Sequence, residues 1–207
     1  MIRKNLLIII LLFFSFSVFS QEKSDSADAT KRRKHRITGG LGLNIPMSPH
    51  SETHDLGMSI NERYEFLISE HFSLIQGLSY NFISGKKVQE FYQDRYVQTQ
   101  YETFSTLPLQ FGIGFYFGEG NSDFFILFKG GVAAYWGVHP AYPEIIVNGN
   151  LVKEAIPREE FNGVYSFFTP TIGWQFDRLQ LSATYQGHVE KDANLNILNI
   201  SVNYRIY

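Results

Sequence analysis

The stretch "NILNISVNYRIY" (residues 196–207) alternates strictly between apolar and polar side chains. Its apolar positions are Leu198, Ile200, Val202, Tyr204 and Ile206, and its polar positions are Asn199, Ser201, Asn203 and Arg205. Because successive side chains of a strand point to opposite faces, this period predicts a β-strand with one apolar and one polar face. The solvent that meets the apolar face decides the class of protein.

The same period recurs along the chain from residue 36. We predict eight strands, which span 36–47, 57–69, 72–83, 100–117, 123–138, 161–176, 178–189 and 196–207. Two polar residues stand on an apolar face, Glu62 and Gln76, and the first predicts a β-bulge or a register shift. Eight sequential strands favour an all-β, antiparallel up-and-down barrel, because closure leaves no exposed edge. A β-sandwich is the alternative.

The connections between the predicted strands alternate between short and long. The short ones are 69–71, 118–122 and 177–178, and the long ones are 48–56, 84–99, 138–160 and 190–195. In a barrel, this order gathers the short turns at one rim and the long loops at the other. Outer-membrane barrels have this arrangement, with periplasmic turns and extracellular loops.

Three features favour lipid rather than water outside the barrel. The polar faces of residues 180–186 and 199–203 are uncharged, whereas a water-exposed surface mixes in many Lys and Glu. Residues 107–117 span about 33 Å of strand, or about 25 Å of height at the usual tilt, which is the thickness of an outer-membrane apolar band. Aromatic side chains gather at the strand ends. We therefore predict a transmembrane barrel; the alternative is a soluble periplasmic barrel that binds an apolar ligand inside.

The N-terminal segment is typical of a secretory signal peptide. Arg3 and Lys4 precede the apolar run 6–14, and we expect cleavage after Ser20. A membrane-anchoring helix is the alternative, although the run is short for a full span. We predict a signal peptide at 1–20, a disordered periplasmic linker at 21–35 and the barrel domain at 36–207.

The composition restricts the chemistry of the protein. A net charge of −2 gives no reason to expect a nucleic-acid partner. Cysteine is absent, which excludes disulfides, thiolate metal sites and a lipidated cysteine. We expect no cofactor. His50 and His54 are spaced for a metal site on a helix, but the sequence predicts a solvated loop there.

Several charged residues fall on the polar, inward face. They are Arg63, Glu65, Glu102, Lys129 and Arg205. Unpaired charges in a narrow lumen are unfavourable, so we expect them to pair across strands. A structural plug of ion pairs and hydrogen bonds is the favoured interpretation, because an eight-stranded barrel has little room for water. A proton or ion path is the alternative.

Two features of the loop side bear on function. His188, with Glu190 and Asp192 nearby, resembles the rim of barrel enzymes that act on lipid A or phospholipid, but no serine lies at a matching depth. In the third long loop, Asn148-Gly149 between two short apolar segments predicts a hairpin. This hairpin either shields the barrel mouth or offers an edge to a partner strand.

Three segments resemble the PorT-like outer-membrane β-barrel family of Bacteroidota. They are "GMSINERYEFLISEHFSLIQGLSYNFISGKK" (57–87), "YETFSTLPLQFGIGFYFG" (101–118) and "FILFKGGVAAYWGV" (125–138). The resemblance implies an outer-membrane location and an eight-stranded fold, and it implies no reaction. We therefore expect a non-enzymatic structural or surface-interaction barrel. Its partners would be outer-membrane lipid and an extracellular or envelope protein, and the extracellular loops would be the contact region.

Overall fold

The computed structural model describes residues 35–47, 50–92, 95–118, 122–139, 145–147, 150–153, 157–188 and 196–206. The strands are His35–Pro46 (β1), Gly57–Leu67 (β2), Phe72–Ile83 (β3), Lys87–Tyr92 (β4), Arg95–Gln100 (β5), Thr103–Phe117 (β6), Ser122–His139 (β7), Ile145–Val147 (β8), Asn150–Lys153 (β9), Glu159–Phe176 (β10), Leu179–His188 (β11) and Ile197–Arg205 (β12). A 3-10 turn, His50–Glu52, lies in the first long loop, where the sequence predicted no helix. None of the helical structure in these ranges is long and apolar enough to cross a membrane.

Eight of the strands form a closed barrel in the order β1-β12-β11-β10-β7-β6-β3-β2. All neighbours are antiparallel, and β1 closes the barrel by pairing with β12 from Thr38↔Arg205 to Pro46↔Ile197. The predicted eight-stranded antiparallel up-and-down transmembrane β-barrel is confirmed. The domain boundary needs a small correction, because His35, assigned to the linker, is the first residue of β1.

The two faces of the wall have the predicted chemistry. Phe111 of β6 is 54% exposed and Ile200 of β12 is 49% exposed. The polar Gln110, which precedes Phe111 in β6, is only 6% exposed. Because this alternation recurs around the closed sheet, the outward rows are mainly apolar, and the polar side chains of the wall lie mainly in the interior, where apolar clusters accompany them. The alternative of a soluble barrel that holds an apolar ligand in an apolar interior is therefore wrong.

Aromatic side chains form outward clusters at both ends of the wall. On the short-turn side, Phe124 lies between Phe117 and Trp174, with ring centroids 6.2 Å from each. On the loop side, the Tyr80 and Trp136 rings are 6.2 Å apart. The amphipathic rings of Trp and Tyr prefer the headgroup zone of a bilayer, so Trp174 at one end and Tyr80 with Trp136 at the other bracket the apolar band.

Glu62 stands in the outward row of β2 without any bulge. Its register is continuous on both sides, Gly39↔Glu62 and Glu62↔Leu78. The bulge or register shift predicted from its position is wrong. The strand keeps its period of two, and the carboxylate shares a face with the apolar side chains before and after it.

Two prolines interrupt the ladder of the wall. The β3–β6 pairing lapses between Leu78↔Leu109 and Asn81↔Thr106, at the level of Pro108. The β10–β11 pairing lapses between Phe168↔Gly187 and Thr171↔Thr184, at the level of Pro170. Proline has no N–H to donate, so each one removes a ladder hydrogen bond on one side of its strand.

Two of the long connections contain hairpins of their own. β4 pairs with β5, and β8 pairs with β9, each as a separate two-stranded sheet. The hairpin predicted in the third loop therefore has both of its strands. Asn148 and Gly149 at its turn lie outside the described residues, as do the predicted signal peptide 1–20 and residues 21–34 of the predicted linker.

The outward orientation predicts a depth-dependent response to charge. Val202 is central in the outward row of β12, and we expect Val202→Arg to lower the free energy of unfolding in lipid vesicles by about 2–4 kcal/mol. The matched variant Ile206→Arg, at the short-turn end of the same row, should lower it by only about 0–1 kcal/mol. Urea titration followed by tryptophan fluorescence measures both values. An equal loss at the two positions would contradict a lipid-facing wall.

Candidate functional site

The short-turn half of the lumen holds a buried ion pair. Glu65 is 0% exposed, and its Oε1 lies 2.5 Å from Nε of Arg63. The two residues are on one strand, two positions apart, because i and i+2 share a face of β2. We expected pairing across strands, and the carboxylate instead pairs with its neighbour on the same strand.

Uncharged side chains on other strands form hydrogen bonds to this ion pair and connect it across the barrel. The Tyr116 hydroxyl of β6 donates to Glu65 Oε2, and Arg63 Nη2 donates to Gln180 Oε1 of β11. Gln180 Nε2 in turn donates to Gln175 Oε1 of β10, at 2.8 Å. Four strands are thereby joined through one connected polar network, in which each charged group is hydrogen-bonded as well as paired.

An apolar cluster fills the same end of the lumen. Its members are Ile75, Tyr116, Phe125 and Leu127, all at most 4% exposed. The Arg63 guanidinium carbon lies 5.5 Å from the centroid of the Phe125 ring, so the cation also rests on an aromatic face. This end of the barrel is closed by packed side chains.

A small polar cavity of about 50 Å³ lies in the middle of the lumen. Its lining includes the predicted residues Arg63 and Lys129 together with hydroxyl and amide side chains such as Thr171 and Gln110. A cavity of this size holds only a few water molecules. Lys129 therefore lines a confined polar space together with Arg63 of the ion pair.

The loop-side half of the lumen is closed by a second set of packed side chains. Ala133, Tyr165 and Phe167 form one buried cluster, against which Tyr135 packs. Ile83, Phe104 and Ile197 form another. The central cavity thus lies between apolar layers above and below it.

The remaining predicted charges lie at opposite ends of the barrel. Glu102 is on the loop side, where its Oε1 is 3.9 Å from Nε2 of His54. Arg205 is at the short-turn rim, with Nη2 3.9 Å from Oδ1 of Asp177. The structure brings Arg63, Glu65 and Lys129 together and leaves the other two apart. The functional role of this set stays a prediction.

His54 anchors the loop rim. It is 2% exposed, its Nδ1 lies 2.8 Å from Oγ1 of Thr53, and its ring meets Phe104 edge-on at 5.3 Å. The neighbouring backbone joins the first loop to the second, through Asp55 N to Ser84 O at 2.9 Å and Lys86 N to Thr53 O at 2.8 Å. No group of three or more His, Cys, Asp or Glu suited to a metal occurs in the described part of the chain.

The barrel-enzyme alternative finds no support in the arrangement of the residues on β11. His188 stacks on Tyr165 with ring centroids 4.1 Å apart. Ser182 is six residues away, or about 20 Å along the strand. Its Oγ lies 2.8 Å from Oγ of Ser201, deep in the lumen. Ser182 and His188 are therefore not within reach of each other, and Glu190 and Asp192 lie outside the described residues.

Gln180 was predicted on the inward polar face, whereas Tyr116 and Gln175 were missed as members of the lumen network. Tyr116 follows the inward period of β6, and Gln180 follows that of β11, so both were identifiable as interior residues. Their partnership with Arg63 and Glu65 was not identifiable, because it depends on which strands lie opposite across the lumen.

Comparison with known proteins gives structural likeness only. No protein-family model matches the chain, and no curated protein does. The attachment invasion locus protein Ail of Yersinia pestis is similar at a TM-score of 0.47 and 12% identity, covering 83% of this chain and 97% of that one. The N-terminal β-barrel domain of Pseudomonas aeruginosa OprF is similar at 0.45 and 8%, covering 84% and 98%. A de novo designed transmembrane β-barrel is similar at 0.41 and 10%, covering 84% and 98%. Likeness at these values carries no conclusion about function.

The buried ion pair predicts an asymmetric response to mutation. We expect Glu65→Ala to lower the free energy of unfolding by about 3–5 kcal/mol, because it leaves the Arg63 cation buried without its partner. Replacing both residues by apolar ones, as Arg63→Met with Glu65→Leu, should recover most of that loss. Exposed Glu160→Gln is the control and should change it by less than about 0.5 kcal/mol. Urea titration in detergent checks this, and an additive loss in the double variant would contradict the pairing.

Proposed function

We propose that this protein is a non-conducting outer-membrane barrel that holds loop-side β-hairpins at the cell surface for contact with an extracellular or envelope protein. The observation that carries the proposal is that the lumen and the loop-side rim of the barrel are built differently. The lumen is filled at both ends, while two long connections at one rim fold into hairpins. A filled barrel offers a rigid support rather than a passage.

The outer-membrane location is supported by the wall and by its connections. Outward positions such as Leu41 (60% exposed) and Val164 (67% exposed) form an apolar surface that water would not tolerate over a whole barrel. Short turns at one rim and long loops at the other agree with the periplasmic and extracellular sides of outer-membrane barrels. The signal peptide expected at 1–20 would supply export from the cytoplasm.

The contact role is supported by the construction of the loop rim. The first loop is tied to the root of the β4–β5 hairpin by backbone hydrogen bonds, and Lys86 Nζ donates to Ser51 O at 2.6 Å. A hairpin held at its root loses less conformational entropy when it binds. Each two-stranded sheet also leaves its outer edges unpaired within the described residues, which suits a partner that adds a strand.

Membership in the PorT-like family of Bacteroidota is part of this proposal. The three segments that carry the resemblance correspond to the β2–β3 hairpin, β6 and most of β7. They include the Leu107-Pro108-Leu109 core at which the β3–β6 ladder lapses. The family assignment proposes a lineage for the protein, and it does not imply that the protein catalyses a reaction.

Topology tests the proposal directly. We expect the full chain to fractionate with the outer membrane and to require detergent for extraction. A protease site inserted between Asn148 and Gly149 should be cleaved on intact cells. The matched control is the same site inserted between Asp177 and Arg178 at a short turn, which should be cleaved only after permeabilisation. The reverse accessibility, or extraction in buffer alone, would overturn the proposal.

The filled lumen makes a separate electrical prediction. Reconstituted in planar bilayers, the protein should give no sustained single-channel current, because packed side chains occupy both ends of the lumen and the cavity between them is only about 50 Å³. A variant that thins the loop-side layer, Tyr165→Ala with Phe167→Ala, should conduct more than the unmodified chain. Large stable currents from the unmodified protein would contradict the non-conducting role.

A further inference from the structure

The wall of the barrel carries one acid where hydrocarbon is expected. Glu62 lies in an outward row of β2 that also holds Met58 (65% exposed), Ile60 (61% exposed) and, just past the strand, Ile68 (55% exposed). From Met58 to Ile68 the row covers about 25 Å of height, so Glu62 is well inside the apolar band. A carboxylate at this depth is unfavourable in lipid, and ionisable residues inside membranes are usually functional.

A polar amide accompanies this acid. Gln76 is on the outward face of β3, and the registers Tyr64↔Gln76 and Glu62↔Leu78 place it diagonally across from Glu62. Residues related in this way are about 7–8 Å apart at Cα. Among the described residues, neither the Glu62 carboxylate nor the Gln76 amide makes a hydrogen bond or an ion pair. The Tyr64 hydroxyl between them is already engaged, 2.5 Å from Nδ1 of His35.

The ladder partner of Glu62 on β1 is Gly39. A Cβ built on Gly39 would meet Cδ1 of Ile206 at 3.5 Å, which is ordinary van der Waals contact, so a side chain would fit there and the glycine leaves its place vacant. Small residues on a membrane-facing surface let another backbone approach closely. Gly39, Glu62 and Gln76 together form a shallow polar notch across β1, β2 and β3, which we call the wall notch.

We propose that the wall notch is the interface of a homodimer, in which a second copy of this chain packs against it about a two-fold axis along the membrane normal. A two-fold contact places the same patch on both subunits. Gln76 has amide N–H groups to donate and Glu62 has oxygens to accept, so each acid meets the other copy's amide. The notch is therefore complementary to itself, and two reciprocal hydrogen bonds form at a depth where lipid offers none.

A second copy fits the notch better than the other occupants do. Lipid tails have no hydrogen-bond donors, and headgroups lie at the ends of the band rather than at the depth of Glu62. A different membrane protein would have to present a donor at the matching depth. A copy of this chain presents one at that depth automatically, because its own Gln76 is carried by the same wall.

Association in lipid vesicles tests the proposal. With donor- and acceptor-labelled protein at varied protein-to-lipid ratios, the unmodified chain should show energy transfer that rises with the ratio and saturates as a dimer. Glu62→Leu and Gln76→Leu should each weaken dimerisation about tenfold. Glu62→Gln should retain it, because an amide still exchanges hydrogen bonds. Heat-modifiable mobility in gels should show all three variants folded, since leucine suits a lipid-facing position.

Cross-linking supplies the geometric test. The chain has no cysteine, so a single introduced thiol reports on one wall. Ile60→Cys, beside the notch, should form a disulfide-linked dimer in vesicles, whereas Ile172→Cys on β10, four strands away around the barrel, should not. A monomer at every protein-to-lipid ratio, dimerisation of Glu62→Leu equal to that of the unmodified chain, or cross-linking at Ile172 instead would each overturn the proposal.

Discussion

The structure depends on one constraint, which is that hydrocarbon offers no partner to a backbone N–H or C=O. A wall in contact with lipid must therefore pair its strands with one another and leave no edge. The closure of β1 on β12 meets this requirement, because it gives the first and last strands of the barrel a neighbour on both sides. The alternation of side chains then follows, since a strand in a closed wall has one face toward lipid and one toward the axis.

The same constraint governs the interior. Eight strands enclose a space that side chains nearly fill, so a charge placed there must find its partners among the other side chains that point into the lumen. Arg63 and Glu65 meet on one strand, and Tyr116 and Gln180 extend the pair to opposite walls. The polar network of the lumen therefore links the strands of the barrel to one another. The groups that are available for contact with a partner lie at the rim.

The sequence predicted the barrel because its decisive signal is local. A period of two and the lengths of the connections gave the strand ranges and the separation of turns from loops, and β3 was predicted with the bounds it has. Contacts between distant strands were not predictable in this way. The position of Gln180 under Arg63 and the burial of His54 against Phe104 depend on barrel size and stagger. The prediction of a bulge at Glu62 was wrong because an exception in the side-chain pattern of a strand need not change its backbone, and the register there is continuous on both sides.

The prolines of β6 and β10 divide the residue pairing of the wall into two parts. Each leaves rungs missing on one side of its strand, so the closed sheet consists of two panels. One panel contains β6, β7 and β10, and the other contains β11, β12, β1, β2 and β3. The panels meet along two seams, and each seam has a gap of two residue pairs in its ladder. The junction of the terminal strands lies inside the larger panel, where the β1–β12 register runs without a gap, so the contact that joins the two ends of the fold contains neither interruption.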